Sequence, residues 1–190
     1  IMKRLSSWLI DKSTGWLTLL AVLVFVLFTA LVLPGQASTA ESNRLDADGQ
    51  MVGSPDTSLY YSAQQLYRIA DVYGIEGRQA YIRARFTFDV IWPLVYTFFL
   101  LTAVSYLGSR AFPIGSSWQL ANLLPLLGVL FDFLENFSTS LVMARYPLVT
   151  PVVAELAGIF TLLKWLFIGL SFLVLLVWLA LAVWRKVFSK

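Results

Sequence analysis

At 190 residues, 58% hydrophobic and 13% charged, the chain is richer in apolar and poorer in charged side chains than a water-soluble domain, so lipid is the solvent it fits. It contains neither cysteine nor histidine. That excludes disulfides, thiol redox chemistry, thiolate or imidazole metal sites, and any serine or cysteine nucleophile activated by a histidine of this chain.

A spanning helix needs about 20 mainly apolar residues to cross a hydrocarbon layer about 30 Å thick. The first such run, residues 15–33, carries no charge. Lys3 and Arg4, this run and Ser38-Thr39-Ala40 together have the outline of a signal peptide. The apolar run is longer than the core of a signal, and the expectation is a retained helix.

Residues 34–85 form a long polar connection. Its first part is small, polar and rich in turn formers, the composition of a flexible loop. Its second part carries Leu59, Ala63, Leu66, Tyr67, Ala70 and Tyr73 at helical spacing, with Asp56 or Thr57 as the expected cap and Gly74 as the expected stop. The spacing predicts an amphipathic helix over about 57–73, lying on the membrane surface or packed across the mouth of the spans. Tyr60, Tyr61, Tyr67, Tyr73 and Tyr81 are expected as aromatic anchors at the membrane–water boundary.

The second span is expected over 86–107, interrupted by Asp89 and Pro93, the third over 118–143 and the fourth over 152–184. Pro113 falls between the second and third, and Pro147 and Pro151 between the third and fourth, where proline suits helix ends. The expected fold class is therefore an all-α membrane bundle of four spans with one outward amphipathic helix.

Direction follows the basic residues. Lys3, Arg4, Lys12, Arg110, Arg185, Lys186 and Lys190 would lie on one side, and Arg44, Arg68, Arg78, Arg83, Arg85 and Arg145 on the other. The numbers are close, but the first set gathers at the chain ends and the tight turn, where the positive-inside rule acts most strongly. Both termini are thus expected in the cytoplasm, with the chain in the plasma (inner) membrane.

A rise of 1.5 Å per residue places the intramembrane charges by height. Asp132, Glu135 and Asn136 fall about 21, 25 and 27 Å above Trp118 in the third span; Asp89 falls about 27 Å above Leu107 in the second; Lys164 falls about 30 Å above Trp184 in the fourth. The charges of three spans thus share one depth. They also share faces: Arg85, Asp89, Trp92 and Tyr96 form one stripe, Asp132, Glu135, Asn136 and Thr139 a second, and Thr161, Lys164, Ile168 and Ser171 a third. Charge facing lipid is expensive, so these stripes are expected to face inward, with Arg83 joining Arg85 and Lys164 against the carboxylates.

The function this supports is binding or translocation of a lipid headgroup, an ion or another small polar ligand by Arg83, Arg85, Asp89, Asp132, Glu135, Asn136 and Lys164. An ion-pair network that only fixes helix register is the plainer alternative. Two others stand beside them. One is an accessory subunit of a larger membrane complex. The other is an intramembrane enzyme holding Mg²⁺ or Ca²⁺ on Asp89, Asp132, Glu135 and Asn136, though Asp-x-x-Glu-Asn matches no metal signature. No cofactor motif is present. The expected partners are the bilayer and either a second copy of the chain or other membrane subunits, and no basic, aromatic-interleaved patch points to nucleic acid.

Overall fold

The computed structural model describes residues 1–37, 44–45, 51–55, 58–113 and 115–188. Seven helices run along these segments: α1 Met2–Lys12, α2 Gly15–Leu31, α3 Leu33–Ala37, α4 Ala63–Arg85, α5 Phe88–Ala111, α6 Leu124–Arg145 and α7 Pro151–Phe188. Arg44–Leu45 (β1) and Met51–Val52 (β2) pair antiparallel. Among the described residues, four helical stretches are long and apolar enough to cross a membrane. The loop residues 38–43 and 46–50, expected to be flexible, and the expected caps Asp56 and Thr57 lie outside the described residues.

Helix ends depart from expectation for local reasons. α4 starts at Ala63 rather than near residue 57, because Ser62 and Gln65 form a reciprocal capping box: the Ser62 side chain accepts from Gln65 N, and Gln65 Oε1 accepts from Ser62 N at 2.8 Å. Gly74 ends the first helical stretch, as expected, and a second stretch follows directly within α4. Gly74 takes φ 62° and ψ −174°, a conformation only glycine tolerates, and the helix resumes to Arg85 beyond this kink. The third span opens as a 3₁₀ stretch, Ser117–Leu123, before α6 begins. That stretch rises about 2.0 Å per residue instead of 1.5, so the height expected for Asp132 above Trp118 falls short by about 3 Å.

The chain falls into two compact units. One comprises Ile1–Thr29, Leu94–Val129 and Leu166–Lys190. Its first element, α1, was not anticipated: at 11 residues it is too short to span a membrane. Ser6 fixes it. Ser6 Oγ donates to Gln119 O at 3.1 Å, and Asn122 Nδ2 returns a bond to Ser6 O at 3.2 Å while also donating to Ser105 Oγ at 3.0 Å. All four side chains are buried, so these bonds satisfy groups that water cannot reach. Nearby, Trp178 packs with Val104, Ala111 and Phe112, its six-membered ring lying over Gly108, where a Cβ would meet it at 2.5 Å. Phe25, Phe99 and Phe172 join α2, α5 and α7, the first pair stacked at 4.5 Å.

The other unit comprises Ala30–Pro93 and Leu130–Trp165. Leu66, Ile69, Ala70, Tyr73 and Tyr81 of α4 pack with Val142 and Met143 of α6 and with Ala154 and Ala157 of α7. Alanine on α7 lets α4 approach closely. Ahead of α4, residues Ser58–Tyr61 form a non-helical strap along α7. Trp165 Nε1 donates to Ser58 O at 3.0 Å, and a Cβ at Gly158 would lie 2.0 Å from Tyr61 O. The spans agree: seven helical residues from 158 to 165 cover about 10 Å, as do three extended steps from 58 to 61.

Along α7, Ala154, Ala157, Thr161, Lys164, Ile168, Ser171 and Trp178 are buried, and Leu175 is partly so. The steps alternate three and four, the narrow seam of a coiled-coil-like helix. Outside the seam, Leu156, Ile159, Leu162, Leu166, Leu173 and Leu176 are exposed. On α2, Ala21 is the one buried residue.

Candidate functional site

Within the second unit, α4, α6 and α7 each deliver ionisable side chains to buried positions, and α5 brings Asp89 to a partly buried one. Arg85, Asp132, Glu135, Asn136 and Lys164 are all at most 7% exposed. Arg85 closes α4 and Asp89 opens α5, with the turn Phe86–Thr87 between them. The stripe expected on one continuous helix is thus split across two, yet Arg85 Nε and Asp89 Oδ2 pair at 3.0 Å. The Arg85 guanidinium also lies over the buried Tyr81 ring, 4.4 Å from its centroid.

Glu135 is the most enclosed of the set. Its Oε2 pairs with Lys164 Nζ, and its Oε1 accepts from Tyr61 OH at 3.4 Å. Because the Tyr61 carbonyl rests against Gly158, the strap that carries the phenol is held by backbone contact. Asn136 then ties the Asp132 carboxylate to the start of α5: Nδ2 donates to Asp132 Oδ1 and to the backbone carbonyl of Asp89, both at 3.2 Å. Thr139 and Thr161, both buried, return their hydroxyls to their own helices, at Glu135 O (2.9 Å) and Ala157 O (3.0 Å). Ser140, one turn beyond Asn136, is buried, and its Oγ has no hydrogen-bond partner among the described residues.

No family model, curated protein or solved structure matches the chain. What the site can do is therefore read from its own chemistry.

Six of the seven residues singled out from sequence lie in this unit at buried or largely buried positions; Arg83 does not join them. It is exposed, because two helical residues are about 200° apart and Arg85 already faces inward. Its absence changes the charge balance. Among the described residues of the cluster, Arg85 and Lys164 stand against Asp89, Asp132 and Glu135, so carboxylates outnumber cations where three of each were expected. Three of the tyrosines expected at the membrane boundary also move: Tyr61, Tyr73 and Tyr81 are buried. A tyrosine that anchors an interface and one that lends its hydroxyl to a buried acid look alike in sequence.

Among the described residues, no group of three or more acidic side chains is arranged to hold a metal ion. Asp89, Asp132 and Glu135 are thus engaged by Arg85, Asn136 and Lys164 rather than gathered as a cage.

A separate latch sits at the turn between α6 and α7. Tyr146 OH donates to Asp71 Oδ1 at 2.8 Å, the Arg78 guanidinium stands 5.0 Å from the Tyr146 ring centroid, and Thr150 N donates to Tyr67 OH at 2.7 Å. The hydrogen bond to Asp71 raises the Tyr146 phenol above its ordinary value, with burial and the Asp71 charge adding to this and Arg78 opposing it.

Proposed function

We propose that the chain is an integral membrane protein, both termini cytoplasmic, that binds a small cationic species at the cluster built on Asp132, Glu135, Asn136 and Lys164 and passes it on. A proton and an ammonium-type group share the needed chemistry, positive charge with a hydrogen to donate. The observation that carries this reading is the surplus of buried carboxylate over buried cation. A net negative charge in a low-dielectric interior is costly even where each carboxylate is hydrogen-bonded, and an incoming cation offsets it. The idle Ser140 hydroxyl beside Asn136 adds a polar group for a ligand to use. Arg83, the cation that would have suited an anionic headgroup, is turned outward.

The test is uptake by the full chain in liposomes, comparing wild type with Asp132→Asn and Glu135→Gln. An internal pH dye reports proton entry under an imposed potential, and labelled methylammonium reports the amine. Asp132→Asn is expected to abolish uptake while leaving helicity intact. Uptake of neither species by wild type, or uptake by both variants equal to that of wild type, overturns the reading.

A second reading has its own support. α2 buries only Ala21, and α7 buries one seam, leaving wide faces of Leu, Val and Trp. Those faces suit lipid, but they also suit neighbouring subunits or a second copy of the chain. A cross-linkable residue at Leu173 that yields discrete adducts in native membranes would favour this accessory role.

A further inference from the structure

The first compact unit holds a second charged feature, unconnected with the buried cluster. Its exposed ionisable groups among the described residues are Lys3, Arg4, Lys12, Arg110, Arg185 and Lys186, with Asp11 as the one acid. We propose that these side chains and the free face of α1 form a docking surface for the headgroups of anionic phospholipids.

The placement comes from contacts within the unit. Ser6 is the buried residue of α1, and Ser13, its C-cap seven residues on, is buried on the same edge; Ser6 is bonded to Gln119 and Asn122. Turning about 100° per residue from that packed edge, Leu5, Trp8 and Lys12 fall on one flank, and Lys3, Arg4, Ser7 and Asp11 on the other. Leu5 and Trp8 are exposed although large and apolar. A helix fastened by one edge, with Leu5 and Trp8 on one flank and Lys3 and Arg4 on the other, has the form of an interfacial helix: Leu5 and Trp8 enter the acyl boundary, while Lys12 between them reaches back to headgroup level with Lys3 and Arg4.

The remaining cations are brought to the same end. A Cβ at Gly15, just after α1, would meet Tyr106 OH at 3.0 Å, and the Arg110 guanidinium stacks on that Tyr106 ring at 3.5 Å. Trp178 of α7 packs against Phe112 and Gly108 at the end of α5, and Arg185 and Lys186 follow two turns later. Six cations against one anion around an interfacial helix is complementary to an anionic leaflet, where each cation strengthens attachment roughly fivefold and salt weakens it.

The test measures lipid selectivity of the full chain in mixed vesicles by electron spin resonance, comparing spin-labelled phosphatidylserine with phosphatidylcholine in the lipid shell. Wild type is expected to select phosphatidylserine, with the preference falling severalfold in high salt and in Lys3→Gln/Arg4→Gln/Lys12→Gln. Arg185→Gln/Lys186→Gln, on a different helix, is expected to lower it by a smaller factor. Arg68→Gln/Arg145→Gln, in the other unit, is expected to leave it unchanged. Absence of selectivity in wild type overturns the proposal and assigns the charges to an acidic protein partner instead. Selectivity that survives both basic-site variants, or that the Arg68/Arg145 variant removes equally, overturns it too.

Discussion

Replacing Gly158 by alanine probes the strap through a single methyl group. The new Cβ would stand 2.0 Å from the Tyr61 carbonyl oxygen and 3.2 Å from its carbon, whereas real Cβ atoms essentially never come within 3.0 Å of a neighbour. The obstacle is backbone, so no rotamer relieves it, and the strap must retreat by at least about 1 Å. That takes Tyr61 OH, already 3.4 Å from Glu135, out of hydrogen-bond range, and strains the 3.0 Å bond from Trp165 to Ser58. Overpacking costs about 1–3 kcal/mol and each lost bond about 1 kcal/mol, against a gain of about 1 kcal/mol in helix propensity from alanine. The net effect is a loss of about 1–3 kcal/mol. Gly169→Ala on the same helix is the control, since nothing lies within 4 Å of its Cβ, and it is expected to be neutral or stabilising by up to about 1 kcal/mol. The assay is unfolding in mixed micelles followed by circular dichroism, with amide exchange of residues 58–62 measured in parallel. If Gly158→Ala matches Gly169→Ala in stability and those amides keep their protection, the strap is not seated on α7 as described.

Further perturbations address the ion pairs, the cap and the surface latch. Lys164→Met leaves Glu135 buried without its cation and is expected to cost about 3–5 kcal/mol, whereas Lys164→Met/Glu135→Leu costs less than either single change in the same unfolding assay. A double variant as unstable as the sum of the singles would sink that account. Ser62→Ala removes one half of the capping box and is expected to cost about 1 kcal/mol, seen as faster exchange in the first turn of α4. Tyr146, with its folded-state value raised, supports the latch fully below the ordinary tyrosine range and loses that support as pH rises through the raised value. Ultraviolet difference titration should lose one late-ionising phenol in Tyr146→Phe, and Asp71→Asn should move one phenol toward the ordinary range.

The spans were legible because long apolar runs announce themselves without any appeal to partners. The inward stripes on α6 and α7 were legible too, since spacing of three and four residues fixes a shared face whatever that face meets: Asp132, Glu135, Asn136 and Thr139 are all buried, as are Thr161, Lys164, Ile168 and Ser171. Arg83 was misplaced where the same geometry already separated it from Arg85. Other features depended on tertiary contact. Asp56, Thr57 and Ser62 are all capping residue types, and Ser62 sits directly after the strap that packs on Gly158 and directly before Ala63, which packs in the core. The burial of Tyr61 and Tyr81 depended on the kink at Gly74 and on glycine and alanine along α7. The helix α1 escaped notice because its fastening is a reciprocal bond between Ser6 and residues more than a hundred positions away.

The narrowness of the buried edge on α7 makes that helix sensitive to phase. Insert one residue just after Thr161 and everything beyond it turns by about 100°. Lys164 would swing toward the exposed apolar face, and a leucine neighbour would arrive opposite Glu135. A three- or four-residue insertion at the same place nearly restores the angle but slides the ammonium along the axis by about 5–6 Å, a full turn from its carboxylate. Length variation along this stretch is therefore not an option open to the protein, whereas the stretch beyond Trp178, where exposed residues crowd every side, tolerates it.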